Sequence, residues 1–275
     1  MKSKLLALIV FISGCQDTKP AKIEISPPQS ALFTKKPFSL NARMVTAAGA
    51  PSEATTLTYA AIPTDVLRVS TTGEMTCEKT GDATVTVAGG GLNAVTTINC
   101  RLVAVVQAKK EIRAIIGAEP GDLALVILGA DGARMNDVPV VFEGLGDYAQ
   151  ATQSGKISGK SVGRFTLTSK VGDASAKTDV LVVEKIESQP IVIADGSSVT
   201  YTLQSGKYQI EIQAEAGTNG VSVSWVGVPC ENQPERQEHR FDCVVDNTAT
   251  LTIHNPALFG FGSSATGFLN IYRIP

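Results

Sequence analysis

Few residues in this chain of 275 are of types and spacings that could do chemistry. Gly159, Ser161 and Gly163 fit the G-x-S-x-G pattern of a hydrolase elbow, which holds a nucleophilic serine on a sharp turn between a strand and a helix. A strand-like run follows here instead, so the pattern reads as a turn. Gly159, Lys160 and Ser161 would need a glycine at 154 to complete a phosphate-binding loop, and Ser154 stands there. The two histidines, His239 and His254, have no free cysteine to join them in a metal site, and no Asp-rich calcium loop occurs. No catalytic residue, metal or cofactor is expected, and the chain reads as a non-enzyme.

What remains is recognition chemistry. The stretch CENQPERQEHRFDC, residues 230 to 243, packs Glu231, Glu235, Arg236, Glu238, His239 and Arg240 between two cysteines. Read as a disulfide-closed polar loop near the single tryptophan, it yields a candidate ligand-binding set of Trp225, His239 and Arg240. A competing reading is the stronger for each part. In VSVSW, Trp225 shares a face with Val221 and Val223, which favours a core position, and such a loop is more often a solvated crossover.

The elements that would position these residues begin with the leader. Lys2 and Lys4 precede an apolar run at 5 to 12, then Ser13, Gly14 and Cys15. A basic start, a short apolar run and small residues form an export signal. The run is far below the roughly 20 residues needed to span a bilayer. The arrangement resembles the bacterial lipoprotein signal. That resemblance implies cleavage of residues 1 to 14, acylation of Cys15, and a lipidated tether at 15 to 21. The competing reading is an ordinary signal with an accidental cysteine. Each buried methylene contributes about 0.8 kcal/mol, and two or more chains give stable anchoring. The expected partner is therefore a membrane, reached through the lipid on Cys15. Gln16 stands where aspartate would favour inner-membrane retention, so an outer-membrane, cell-envelope location is expected.

Charge excludes other partners. Lys and Arg number 24 against 26 Asp and Glu, well mixed, with a net charge of −2. Nothing forms a basic patch for nucleic acid or for anionic lipid. Short runs of alternating apolar and polar residues, separated by glycine turns, mark an all-β chain.

The chain also repeats. GEMTCEKTGDATVTVA at 73 to 88 aligns without a gap on GKISGKSVGRFTLTSK at 155 to 170, an offset of 82 (155 − 73 = 82). After a one-residue shift, LTYAA at 57 to 61 falls on VVFEG at 140 to 144. A period near 80 residues is too long for a solenoid and fits two copies of a small β-sandwich. Four cysteines follow Cys15, and four allow three pairings. Cys77 falls on Gly159 and Cys100 on Val182. The second copy lacks both at once, so Cys77 pairs with Cys100 and Cys230 with Cys243.

The order IEISP (23 to 27), FSLNARMVTAAG (38 to 49), LTYAAIPTDVLRVSTTGEMT (57 to 76), TGDATVTVAGG (80 to 90) and AVTTINCRL (94 to 102) resembles the bacterial immunoglobulin-like group 2 domain. The likeness covers about 21 to 103 well and 104 to 185 loosely. Tyr59 and Phe142 stand where that family often has tryptophan. The resemblance implies an extracellular spacer or adhesive module without catalytic residues.

After EKIESQP (184 to 190), read as a linker, a third β-sandwich or jelly roll is expected at 190 to 275. The expected organisation is thus an Ig-like domain at 22 to 103, a second at 104 to 185 and the C-terminal sandwich. The expected role is a lipid-anchored spacer, adhesion or interaction protein that meets a cell-surface protein. The alternative is a carbohydrate- or peptidoglycan-binding protein. It would grip a glycan through exposed aromatics, drawn from Trp225, Tyr201, Tyr208 and a cluster of Phe259, Phe261, Phe268 and Tyr272.

Overall fold

A computed structural model describes residues 19–26, 31–52, 56–215, 220–257 and 263–275. Cys15, the leader, Phe259 and Phe261 lie outside the described residues. The fold is all-β, a set of sandwiches, and the chain divides into two compact units. One is Met1–Ala104 with Leu128–Arg134; the other is Val105–Ile127 with Met135–Pro275.

The first unit holds β1 (Lys22–Ser26), β2 (Phe38–Ser39), β3 (Asn41–Val45), β4 (Thr58–Ile62), β5 (Leu67–Val69), β6 (Glu74–Cys77), β7 (Gly81–Gly89) and β8 (Leu92–Cys100). They form the pair β1-β3 and the sheets β2-β6-β5 and β4-β7-β8. Alternation makes the sandwich: along β7, Ala83, Val85 and Val87 are buried while Asp82 and Thr84 are exposed. Cys77 of β6 and Cys100 of β8, both fully buried, are disulfide-bonded, which ties the two three-stranded sheets across the core.

The second unit follows the same plan and extends it. β9 (Val103–Gln107) pairs with β12 (Val126–Gly129). β10 (Glu111–Ile115) runs parallel to the start of a later long strand, while β11 (Gly121–Asp122), β14 (Ala149–Ala151) and β15 (Lys156–Gly159) form one sheet. β13 (Val141–Glu143), β16 (Gly163–Val171) and the beginning of β17 (Ala174–Ile193) form the other. The repeat is visible strand by strand. β6 maps on β15 (156 − 74 = 82), β7 on β16 (163 − 81 = 82) and β8 on the opening of β17 (174 − 92 = 82). Tyr59 faces Val87 as Phe142 faces Ser169, which preserves register after the one-residue shift. At the position of the missing disulfide, a side chain on Gly159 would meet Val182 Cγ1 at 2.6 Å, so valine fills the space that the two cysteines share in the first copy.

The third sandwich is built from the rest of β17 with β18 (Ser198–Ala214), β19 (Val221–Val226), β20 (Gln233–Arg236), β21 (Glu238–His254) and β22 (Ala265–Ile274). β18 and β21 form a long hairpin with a bulge between Gln204 and Gly206. Bulges bend a ladder and increase its twist. Tyr208, Ile210, Ile212, Leu251, Ile253 and Leu269 fill the core, each fully buried aliphatic side chain contributing about 1.5–3 kcal/mol.

Two sequence expectations are corrected. Residues 184–190 are not a linker: they lie inside β17, where Glu184 to Ile193 pairs with β22 through one bulge at Lys185 and Glu187. Charge and proline read locally as loop chemistry, but a strand some eighty residues later supplies the ladder partner, and no local pattern announces it. The second and third sandwiches consequently share a strand and a small core of Val183, Tyr272 and Ile274 packed with Ile115 and Leu181. The stretch 230–243 is mostly strand rather than a polar loop: β20 pairs with β19, and the start of β21 pairs with β18. Its charges sit on the outward positions while His239 and Cys243 point inward. The Cys230–Cys243 disulfide is present.

Ion pairs lace the exposed faces. Hydrogen bonds from Lys22, and then Arg43, hold the Glu24 carboxyl below the usual range, and a bond from Lys156, assisted by the Ala124 amide, does the same for Asp122. Both folded values are depressed, so their stabilisation is present above the ordinary carboxylate range and is lost as pH falls through the lowered values. Carboxyl NMR titration should find Glu24 and Asp122 among the last groups to protonate. Glu24→Gln should flatten the acid limb of the first unit's stability curve; an unchanged limb would remove this role.

Candidate functional site

The predicted ligand set does not converge on one surface. Trp225, on β19, faces inward with Val221 and Val223, keeps 9% of its surface, and meets Phe241 edge-on at 6.1 Å between centroids. Its amide donates to Asn232 Oδ1 at 3.0 Å, while its indole Nε1 is buried without a partner. His239 is buried, with Nε2 2.7 Å from the carbonyl of Val221. A carbonyl only accepts, so Nε2 carries the proton, and the ring is a core group. Arg240 stays on the surface, its Nε 3.6 Å from Glu211 Oε1.

The aromatics offered for a glycan are similarly placed. Tyr208 and Tyr272 are buried, and the Tyr208 hydroxyl donates to the carbonyl of Gln204. Tyr201 packs against the core and accepts from Gln189 Nε2 at 2.8 Å. Together with Trp225 they form no exposed coplanar platform. Phe268 is exposed.

Serine and histidine do meet once. Ser198 Oγ lies 2.9 Å from His254 Nδ1, but Nδ1 is also 3.0 Å from the carbonyl of Ser197. A nitrogen that donates to that carbonyl holds its proton, so it cannot serve as base toward the hydroxyl. Among the described residues, no group of three or more His, Cys, Asp or Glu side chains is placed to hold a metal ion.

The polar feature that sequence reasoning missed is centred on Arg113 of β10. Its Nη1 donates to Glu211 Oε1 of β18 at 2.8 Å, and its guanidinium carbon sits 3.8 Å over the ring of Tyr272 on β22. Glu211 thus serves two arginines, Arg113 and Arg240. Burial, followed by the Glu211 charge, raises the Tyr272 phenol above its ordinary value, while Arg113 acts in the opposite sense. Arg113 Nε and Nη2 are buried and have no acceptor. An unsatisfied buried donor costs about 1–3 kcal/mol. Beside Arg113 opens a cleft of about 520 Å³ whose walls include Arg164, Arg240, Glu111 and Asp179. Beyond Arg240 lies a second hollow of about 500 Å³ with Gln213, Glu238, Asn270 and Phe268.

These residues come from six strands, β10, β16, β17, β18, β21 and β22, and each is ordinary in its local sequence. The repeat held a signal nonetheless. At the 82-residue offset Arg113 falls on Ala31 (113 − 82 = 31) and Arg164 on Asp82 (164 − 82 = 82), so the second copy carries cations where the first has none.

No family model matches this sequence, and no curated protein matches it. Several solved structures resemble it. Domains 4 and 5 of the S-layer protein SbsC superpose with a TM-score of 0.28 at 16% identity, over 60% of this chain and 98% of theirs. The titin I-band fragment I67-I69 gives 0.25 at 11%, over 90% and 97%. Human protocadherin-24 EC1-2 gives 0.24 at 12%, over 60% and 99%. At these scores the likeness says nothing about activity.

Proposed function

We propose that this chain is an exported, lipid-anchored protein of the bacterial cell envelope whose β-sandwiches form a non-catalytic interaction module. The observation that carries this reading is the pair of disulfides, one tying two sheets across a core and one joining the segment after β19 to β21; the resemblance of the first residues to an export signal supports it. Such bonds persist in oxidising compartments outside the cytosol. Acylated Cys15 would hold the protein at the outer membrane, with the sandwiches displaying a surface to a cell-surface partner. The burial of Trp225, Tyr208 and Tyr272 disfavours the glycan-gripping alternative.

Labelling with tritiated palmitate in a bacterial host tests the anchor. The wild-type chain should incorporate label and partition into detergent, whereas Cys15→Ser should be unlabelled and aqueous. Mass spectrometry showing an intact leader on an unmodified Cys15 would overturn the anchoring. Free thiols on the other four cysteines of exported material would overturn the compartment.

A further inference from the structure

We infer that the outer face of β4, β7 and β8 docks a second copy of this chain anchored to the same membrane. This deepens the interaction-module reading and rests on the Cys15 anchor for the shared membrane.

Three observations carry the assignment. The first is a loss of charge relative to the second copy of the repeat. The equivalent strands there place Glu143, Arg164, Lys170, Lys177 and Asp179 on the outward face. In β4, β7 and β8 the single charged residue is Asp82, and its carboxylate accepts from Asn99 Nδ2 at 2.8 Å. The row Ala60, Thr86, Val95 stands in the same register as the row Glu143, Thr168, Lys177. Depletion of charge is what sets the centre of an interface apart from ordinary surface.

The second observation is self-complementary shape. Ile62 and Val95 keep 74% and 61% of their surface exposed. They sit on opposite edges of the face in neighbouring rows, Ile62, Thr84, Thr97 and Ala60, Thr86, Val95. A copy turned over about a two-fold axis parallel to β7 lays its β8 on β4. Ile62 then meets Thr97 and Val95 meets Ala60, a large side chain against a small one at every crossing. Aligned sheets interdigitate in this way at a spacing of about 10 Å. The third observation is the tether. β1 begins at Lys22, seven residues past Cys15 (22 − 15 = 7), so the first unit is held within roughly 25 Å of its anchor. A two-fold axis keeps both tethers at one level along it, as anchoring to one membrane requires.

Area and charge choose the occupant. Three strands about 4.8 Å apart, over four two-residue steps of about 6.8 Å, give a face of roughly 400 Å². That is half the roughly 800 Å² one partner contributes to a stable complex. Association is therefore weak in solution, and co-anchoring supplies the effective concentration it needs. A partner of average surface charge would bury unpaired ions here, whereas a second copy brings only Asp82, at the end of the face.

The test uses the chain from Cys15 onward, coupled through that thiol to maleimide lipid in a supported phosphatidylcholine bilayer. Copies labelled in two colours at the C-terminus are tracked for co-diffusion. The unsubstituted chain should co-diffuse, and Val95→Lys or Ala60→Glu should each lower the co-diffusing fraction about tenfold or more, because each buries a charge without a partner. Mixing the two variants should restore it, since positions 95 and 60 face each other across the axis. These substitutions install the residues that the second copy carries as Lys177 and Glu143, and the melting temperature should be unchanged. If either variant unfolds, Asp82→Asn serves instead. It removes the one like-charge contact across the axis and should raise the co-diffusing fraction severalfold. In solution, a concentration series of the Cys15→Ser chain should shift amide resonances of β4, β7 and β8 alone. Absence of co-diffusion, indifference to both substitutions, failure of the mixture to recover, or a fall in Asp82→Asn would overturn the pairing. A lack of acylation in cells would overturn the anchor and leave these readings unchanged, because the maleimide lipid takes its place.

Discussion

Replacing Cys77 and Cys100 together by alanine should destabilise the first sandwich by about 3 kcal/mol, the loop-closure value for a separation of 23 residues. For a domain of this size that corresponds to a fall of roughly 12–24 °C in melting temperature. The disulfide acts mainly on the unfolded chain, but its position adds to the effect. Both cysteines are fully buried and tie opposite sheets, so alanine also leaves space between β6 and β8. Hydrogen exchange should localise the loss to the amides of β7 and β8, with β18 and β21 unaffected; a loss spread over the whole chain would refute this placement. The second copy supplies the converse. Gly159→Cys with Val182→Cys rebuilds the pair at matching strand positions, where a side chain at 159 already reaches Val182. Air oxidation should close that bond and raise the stability of the second sandwich by about 3 kcal/mol. Persistent free thiols in the folded double variant would show that the two copies differ in backbone there.

How much of this was legible in the sequence follows from the range of the interactions involved. The repeat, the strand alternation and both cysteine pairings were readable, because they rest on period-two alternation and on comparing two copies within one chain. Val182 opposite Gly159 made the first pairing decidable before any coordinates. What escaped were pairings between distant segments. Residues 184–190 carry charges and a proline, yet β22 draws them into a ladder. Residues 230–243 hid their alternation because so many charges lie on the outward face that His239 and Cys243 looked like members of a loop. The Arg113 cluster is the extreme case: Glu211 and Tyr272 reach it from two later strands, and only the contrast with Ala31 in the first copy marked the position.

Trp225 separates the core and ligand readings of the third sandwich by stability alone. Truncation to alanine should cost about 3–5 kcal/mol, the range for a large aromatic lost from a packed core. It would remove the edge-on contact with Phe241, itself worth about 0.5–1.5 kcal/mol. Trp225→Phe should be far milder. It gives up part of the packing but also removes the buried indole N–H that has no acceptor, so the two effects offset to within about 1.5 kcal/mol. A residue held for a ligand would behave oppositely, with alanine tolerated and phenylalanine tested only by binding. Urea titration followed by circular dichroism distinguishes the two, and in the wild type the fluorescence of this single tryptophan reports the third sandwich alone. Wild-type stability in Trp225→Ala would return Trp225 to the surface. A steep loss would leave Arg240, beside the Arg113 cleft, as the member of the original set still open to a partner.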